Sequence, residues 1–485
     1  MLTTVFKSVL KTGLYLLTLL FLLLLAWAFQ SRSMPALQLW HTLSFENEFT
    51  ASDAGSGYEL ADYLAQEQLL FDELQAKIYG KVEADGSSFY SRYNKQGSQN
   101  PVWGNQNWNR SFELVPAQIK GGVLLLHGLT DSPYSLRLIG EILYAKGFYV
   151  LGLRLPGHGT IPAALTNVNW QDWRAASRLG ARHVRNKIGR ELPFIMAGFS
   201  NGGGLSVMYA LDALLDDSLS PPEQLLLFSP EIGIDPVARI ANSHKLLSFL
   251  PYFAQFKWLS IQPEYDPFKY NSFPKNAAQE AWKVTEVIEK RIRQVREAER
   301  MQDFPGILTF LSWTDATVET SATIQRLYGQ LDNLDSELII FDINRLNELA
   351  PFIPAANASP LLRLKADAEL PYRLTVITNR EGNSRLVTQQ TKAPHSANVI
   401  STPLDMSWPK GIYSLSHVAI PFSPEDPVYG TADVVSNIYK GLPLGAMQPR
   451  GETHLLIAPL SQFMRLRHNP FFRYVEQRIV SEVDE

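Results

Sequence analysis

Three observations predict an α/β fold with a mostly parallel central sheet and helices on both faces. Short apolar runs bounded by Gly or Pro recur from residue 111: Val123–Leu126, Tyr149–Leu155, Phe194–Ala197, Leu225–Phe228, Ile307–Leu311 and Leu338–Phe341. Helical stretches separate most of them: Leu136–Lys146, Asp172–Ile188, Gly204–Leu215 and Val318–Leu331. The runs are continuously apolar rather than alternating, as expected of strands covered on both faces.

Composition narrows the function classes. The 485 residues carry 44 Lys+Arg and 48 Asp+Glu, a formal net charge of −4, so no global basic field exists to hold nucleic acid. Apolar residues make up 45% and charged residues 19%, which supports a sizeable core and excludes a disordered chain. Cysteine is absent, which removes disulfides, thiolate metal sites, iron–sulfur clusters and cysteine nucleophiles together.

The elements divide in chain order. Thr12–Ser31 is a run of twenty uncharged residues, and as a helix at about 1.5 Å per residue it matches a hydrocarbon core of about 30 Å. Lys7 and Lys11 precede it. Residues 1–32 are therefore expected to form an uncleaved single-pass anchor in the cytoplasmic membrane, with a cytoplasmic N-terminus and the rest of the chain on the extracytoplasmic, periplasmic side; a cleaved signal peptide is the competing reading. Residues 33–110 read as an extended tether followed by a helix over Tyr58–Tyr79 and a loop rich in Gly, Ser, Asn and Trp. Residues 111–231 and 304–344 supply two parts of the core, and 232–303 is a helical cap between them. The charge-rich stretch Glu280–Arg300 reads as a solvated helical face. Residues 345–413 form an insertion with a hairpin of Arg373–Thr378 and Arg385–Thr391, and 414–485 close the chain.

The strand Phe194–Ala197 runs into Gly198-Phe199-Ser200-Asn201-Gly202 and then a helix. A nucleophilic serine on so sharp a turn needs small residues two before and two after it, because side chains there would collide. Gly198 and Gly202 meet that need, and the helix N-terminus behind Ser200 aims N–H groups at a developing oxyanion. The pattern alone is a weak signal; the strand before and the helix after give it weight. Upstream, Gly122–Leu126 ends in His127-Gly128-Leu129-Thr130-Asp131-Ser132-Pro133. A further run, Leu151–Leu155, ends in Pro156-Gly157-His158-Gly159. His127 and His158 read as loop-shaping hydrogen-bonders.

These three segments, in this order, resemble the α/β-hydrolase superfamily, and within it the monoacylglycerol lipase/lysophospholipase and bacterial carboxylesterase branch. The resemblance implies an α/β-hydrolase fold with a Ser–acid–His triad in chain order, an oxyanion hole from the Leu129 and Asn201 N–H groups, and a lid at 232–303. It places the acid after a strand, where Asp315 follows Ile307–Leu311. Asp342 is a rival, but it lies inside an apolar run rather than beyond a strand end. No histidine follows the last expected strand directly, a departure from the family pattern that the insertion explains if the chain returns to the site. His417, in Ser416-His417-Val418, is the favoured base, with His454, His395 and His468 as alternatives.

The implied chemistry is acyl transfer through an acyl-enzyme, with no metal and no cofactor. No HExxH motif occurs, and Gly202–Gly204 lacks the Lys-Ser/Thr of a phosphate loop. The expected substrate is a small-molecule carboxylic ester, with glycerolipids and lysophospholipids among the candidates. Phe199, Phe249, Tyr252, Phe253 and Trp258 are the candidate acyl-pocket residues. Amide or peptide cleavage on the same fold, and a non-enzymatic scaffold, are the competing readings. Oligomeric state is not legible in the sequence.

Overall fold

The computed structural model describes all residues except 1, 83–89, 104, 234–250, 333, 355–358, 381–382, 432–440, 448–459 and 485. One ten-stranded sheet organises the chain. Its strands are β1 (Phe112–Leu114), β2 (Gly121–Leu126), β3 (Phe148–Leu153), β4 (Phe194–Phe199), β5 (Gln224–Phe228), β6 (Gly306–Ser312), β7 (Glu337–Phe341), β8 (Arg373–Asn379), β9 (Leu386–Lys392) and β10 (Val399–Ser407). The spatial order is β10-β9-β8-β7-β6-β5-β4-β2-β3-β1. The pairings from β3 through β8 are all parallel, while β1, β9 and β10 add antiparallel edges.

Both faces of the sheet are covered, which is why β2 to β7 read as unbroken apolar runs. Alternate residues feed two cores. Leu124, Leu151, Met196, Leu225 and Ile340 point into one cluster with helices α4 (Trp170–Ile188), α5 (Asn201–Leu215) and α6 (Lys275–Glu297). Val123, Val150, Ile195, Leu226 and Ile339 point into the other, with α3 (Arg137–Ala145) and α7 (Phe472–Asp484). α4 begins with a capping box of Asn169 and Asp172 and ends at Gly189, whose φ of 78° is the left-handed stop.

Several expectations change. The anchor expected over Thr12–Ser31 is corrected. Those residues fall in helix α1 (Leu2–Ser33), but among the described residues no helix is long and apolar enough to cross a membrane. A span needs about 20 consecutive, predominantly apolar residues, and no described helix meets that need. The single-pass topology and the extracytoplasmic placement of the chain fall with it.

Residues 34–45 are not a free tether. Met34, Leu37 and Trp40 pack on a cluster that includes Trp258, Tyr93 and helix α2 (Leu60–Leu74). Residues 345–413 do not stand apart from the core, because β8 pairs in parallel with β7 and carries β9 and β10 to the sheet edge. The stretch Glu280–Arg300 has a packing face as well as a solvated one: Ala281, Val284, Ile288, Ile292 and Val295 of α6 are buried. The buried Asp212 carboxylate of α5 binds Arg174 and Arg178 of α4 and Arg291 of α6, tying the three helices together.

Candidate active site

Ser200 sits at the junction of β4 and α5 with φ 53° and ψ −119°, a strained conformation for a residue with a side chain. Its N–H donates to the Phe228 carbonyl at 3.0 Å, and its carbonyl accepts from Gly204 and Glu231. The flanking glycines are sterically required. A Cβ at Gly202 would strike the Leu126 carbonyl, and one at Gly198 would strike the Gly202 carbonyl. The turn therefore closes only with no side chain at either position.

The loop after β2 presses on this turn. Gly128 lies so close that a Cβ there would contact Ser200, and Thr130 adopts φ 66° to carry the chain round. Leu129 lines the same cavity as Ser200, and Asn201 opens α5 immediately after it. His127 and His158 are structural. His127 Nε2 accepts the Leu155 N–H at 3.0 Å, and burial holds its pKa well below the ordinary value. Burial brings His158 down to about 3, and its Nδ1 lies 3.0 Å from the Pro156 carbonyl.

His417 and Asp315 come together across 102 positions of chain. Asp315 lies on the loop after β6, and His417 follows the β10 edge. His417 Nδ1 lies 2.7 Å from Asp315 Oδ2. A carboxylate only accepts, so Nδ1 carries the proton and Nε2 is left with its lone pair. Asp315 Oδ1 accepts the Thr317 and Val318 N–H groups. Burial pushes the Asp315 carboxyl up, but the attraction of His417 and these hydrogen bonds outweigh it and hold the group below its ordinary value. His417 and Ser200 open onto one cavity of about 630 Å³.

The rival residues lie elsewhere. Asp342 is buried in an ion pair with Arg345 and accepts from Thr378 Oγ1 at 2.8 Å. His468 Nδ1 meets the Tyr429 carbonyl, and His395 occupies a left-handed turn at φ 50°. His454 and Phe249 lie outside the described residues, as do the side chains of Tyr252 and Phe253.

Two candidate pocket residues are corrected. Trp258 is 1% exposed and packs edge-on to His41 with ring centroids 4.9 Å apart, so it braces the N-terminal segment instead of lining the cavity. Phe199 is a core residue whose ring centroid lies 5.1 Å from that of His417. The cavity takes apolar surface from Leu129, Leu259, Phe273 and Val418.

Four charged lining groups were not anticipated: Glu231, Lys269, Arg465 and Arg467. Glu231 had a signal in the sequence, since Ser229-Pro230-Glu231 follows directly on a strand end, where groups of open parallel sheets face the site. The two arginines had none, because they reach the site from a segment with no sequence-local link to it.

Residues 123–379, more than half of the chain, match the Alpha/beta hydrolase family. A thermostable monoacylglycerol lipase of Bacillus sp. (strain H-257) is 36% identical over 90 residues, 18% of this chain and 34% of that protein. A carboxylesterase of Bacillus subtilis (strain 168) is 26% identical over 133 residues, 27% of this chain and 53% of that protein. The chain thus spans between a third and about half the length of these curated relatives. The crystal structure of a monoacylglycerol lipase of Paleococcus ferrophilus aligns at 18% identity with a TM-score of 0.36, over 48% of this chain and 88% of that one. With the matched segment running from the second strand of the sheet through the eighth, the chain belongs to the α/β-hydrolase family.

Proposed function

We propose that the protein is a serine hydrolase that cleaves carboxylic esters through an acyl-enzyme. The observation that carries this reading is the buried hydrogen bond of 2.7 Å between His417 Nδ1 and Asp315, facing the same cavity as a serine on a strained strand–helix turn. In this mechanism His417 Nε2 takes the Ser200 proton as Oγ attacks the acyl carbon. The Leu129 and Asn201 N–H groups hold the oxyanion. His417 then returns the proton to the departing alcohol, and water, activated by the same nitrogen, hydrolyses the ester to Ser200. Asp315 keeps the imidazole in the required tautomer and stabilises its cation.

The partial matches to a lipase and a carboxylesterase favour esters over amides. Residues 251–303 act as a cap in this reading, since Leu259, Lys269, Tyr270 and Phe273 all line the cavity. A fluorescent fluorophosphonate tests the proposal. Wild-type protein is expected to label covalently and the Ser200→Ala variant not to. Esters of graded chain length, compared with aminoacyl amides, then test the bond. Absence of labelling in folded wild-type protein would sink the hydrolase reading, and turnover of amides alone would replace esterase with amidase.

A further inference from the structure

Most of the charged groups around the Ser200 cavity are held in close pairs. Lys269 Nζ lies 2.9 Å from Asp131 Oδ1, so that charge is matched. Arg467 Nη1 lies 3.3 Å from Asp266 Oδ2, a carboxylate that also accepts the Tyr429 hydroxyl at 2.6 Å. The Asp315 oxygens accept from His417 Nδ1 and two backbone N–H groups. Glu231 is buried and pairs with no cation among the described residues, so it does not supply a counter-charge near neutral pH.

Arg465 is left over. It lines the cavity together with His417 and Thr317, and its Nη2 donates to the Thr317 hydroxyl at 2.9 Å. Among the described residues it forms no ion pair with a carboxylate. A guanidinium carries five donors in a planar fork suited to carboxylate and phosphate oxygens. It is half-buried, and its one hydrogen bond among the described residues goes to a neutral hydroxyl. Burial accordingly draws its pKa below the ordinary guanidinium value, against the pull of Asp315.

We infer that the Ser200 cavity selects esters that carry an anionic oxygen group, a carboxylate or a phosphate, and that Arg465 holds that group with Arg467 beside it. This rests on the serine-hydrolase reading and narrows its substrate class from esters in general to anionic ones. Arg465 reaches the cavity beside Thr317, on the loop that carries Asp315. Its side chain is a specificity determinant and does not enter the bond-making steps.

Two matched pairs of substrates test the inference and locate the anion. Mono(4-nitrophenyl) glutarate against 4-nitrophenyl hexanoate places a carboxylate on the acyl side. 1-Decanoylglycerol 3-phosphate against 1-decanoylglycerol places a phosphate on the alcohol side. In wild-type protein the anionic member of at least one pair is expected to have kcat/KM about tenfold above its neutral partner, with the ratio shrinking as salt is raised toward 1 M. Arg465→Gln is expected to lower that ratio about tenfold, chiefly through KM, and Arg465→Lys to lower it less.

A ratio of one or below for both pairs in wild-type protein, or a ratio that Arg465→Gln leaves unmoved, would overturn the inference. If Arg465→Gln does not fold, the salt dependence measured on the wild type decides instead, and a salt-independent ratio rejects the anion site. Labelling of Ser200 by fluorophosphonate separates this failure from the larger one. A protein that labels but shows no anionic preference remains a hydrolase without the anion site, whereas one that neither labels nor turns over any of the four esters overturns both readings.

Discussion

The two walls of the Ser200 cavity hold carboxyl groups in opposite ways. On the wall built by the β6 loop, Asp315 has a partner for each oxygen, from His417 on one and two backbone N–H groups on the other. On the wall built by the β5 end, Glu231 is equally withdrawn from water, but its Oε1 has no partner among the described residues. The neighbouring Asn201 amide is likewise buried without one. Burial raises both carboxyl groups in the same direction; the partners decide the outcome. Asp315 is pulled below its ordinary value, while Glu231 is pushed up to about 8. Depth alone therefore does not assign a charge state. The same cavity presents a fixed anion behind His417 and an uncharged acid beside Ser200.

The strongest way to break this comparison is to remove the partnered wall. Asp315→Asn would let His417 settle in the wrong tautomer, with its proton on Nε2. The expected loss is about 10⁴-fold in kcat with the fold intact, and His417→Ala is expected to lose at least as much. Steady-state turnover of a short-chain nitrophenyl ester, with thermal melts alongside, makes the check. Near-normal turnover in either variant would take the acid or base role away from that residue.

Much of this wall was legible. The run Ile307–Leu311 announced a buried strand, and Asp315 stood just past its end, where the topology exposes side chains to the site. The Ser200 turn was legible for the same reason, with glycines that the carbonyls of Leu126 and Gly202 make obligatory. The route to His417 was harder to read. β9 is Leu-Val-Thr-Gln-Gln-Thr-Lys and the edge strand β10 contains Pro403, and outer strands with a wetted face carry little apolar signal. What looked like an insertion before the histidine is thus the outer part of the sheet. The N-terminal segment shows the opposite error. Its apolar run suggested a span, while Met34, Leu37 and Trp40 just beyond it pack on the body of the protein.

The unpartnered wall predicts a pH dependence of stability. Glu231 has a folded pKa raised above its unfolded value near 4.5. Its stabilising share is complete below about 4.5 and is lost as pH rises toward about 8, because only the unfolded chain releases the proton in that window. The slope is about 1.4 kcal/mol per pH unit for one group. Glu231→Gln keeps the shape and a hydrogen-bond donor but cannot ionise. Urea unfolding at pH 5, 6, 7 and 8 is expected to show the wild type losing stability relative to the variant at each step. Parallel curves would mean that Glu231 has found a partner, and the contrast between the walls would vanish. Asp315 works with the reverse sign, since its lowered pKa stabilises above its unfolded value and that contribution is lost as the pH falls below it.

The smallest expected effect sharpens the assignment of the base. His395 shares the chain segment between Asp315 and His417, yet it occupies a left-handed turn whose N–H donates to the Leu370 carbonyl at 2.9 Å. That contact belongs to the backbone, so replacing the side chain should leave it intact. His395→Asn also suits the positive φ, because asparagine tolerates the left-handed region better than most residues do. The change in stability is expected to stay within about 0.5 kcal/mol and turnover within about twofold. A large loss of kcat with an unchanged melting curve would move the base from His417 to His395, and it would require the β9–β10 edge to fold back over the cavity. The pairing of β9 between β8 and β10 holds that edge in the sheet plane, and this is the physical reason to expect no such loss.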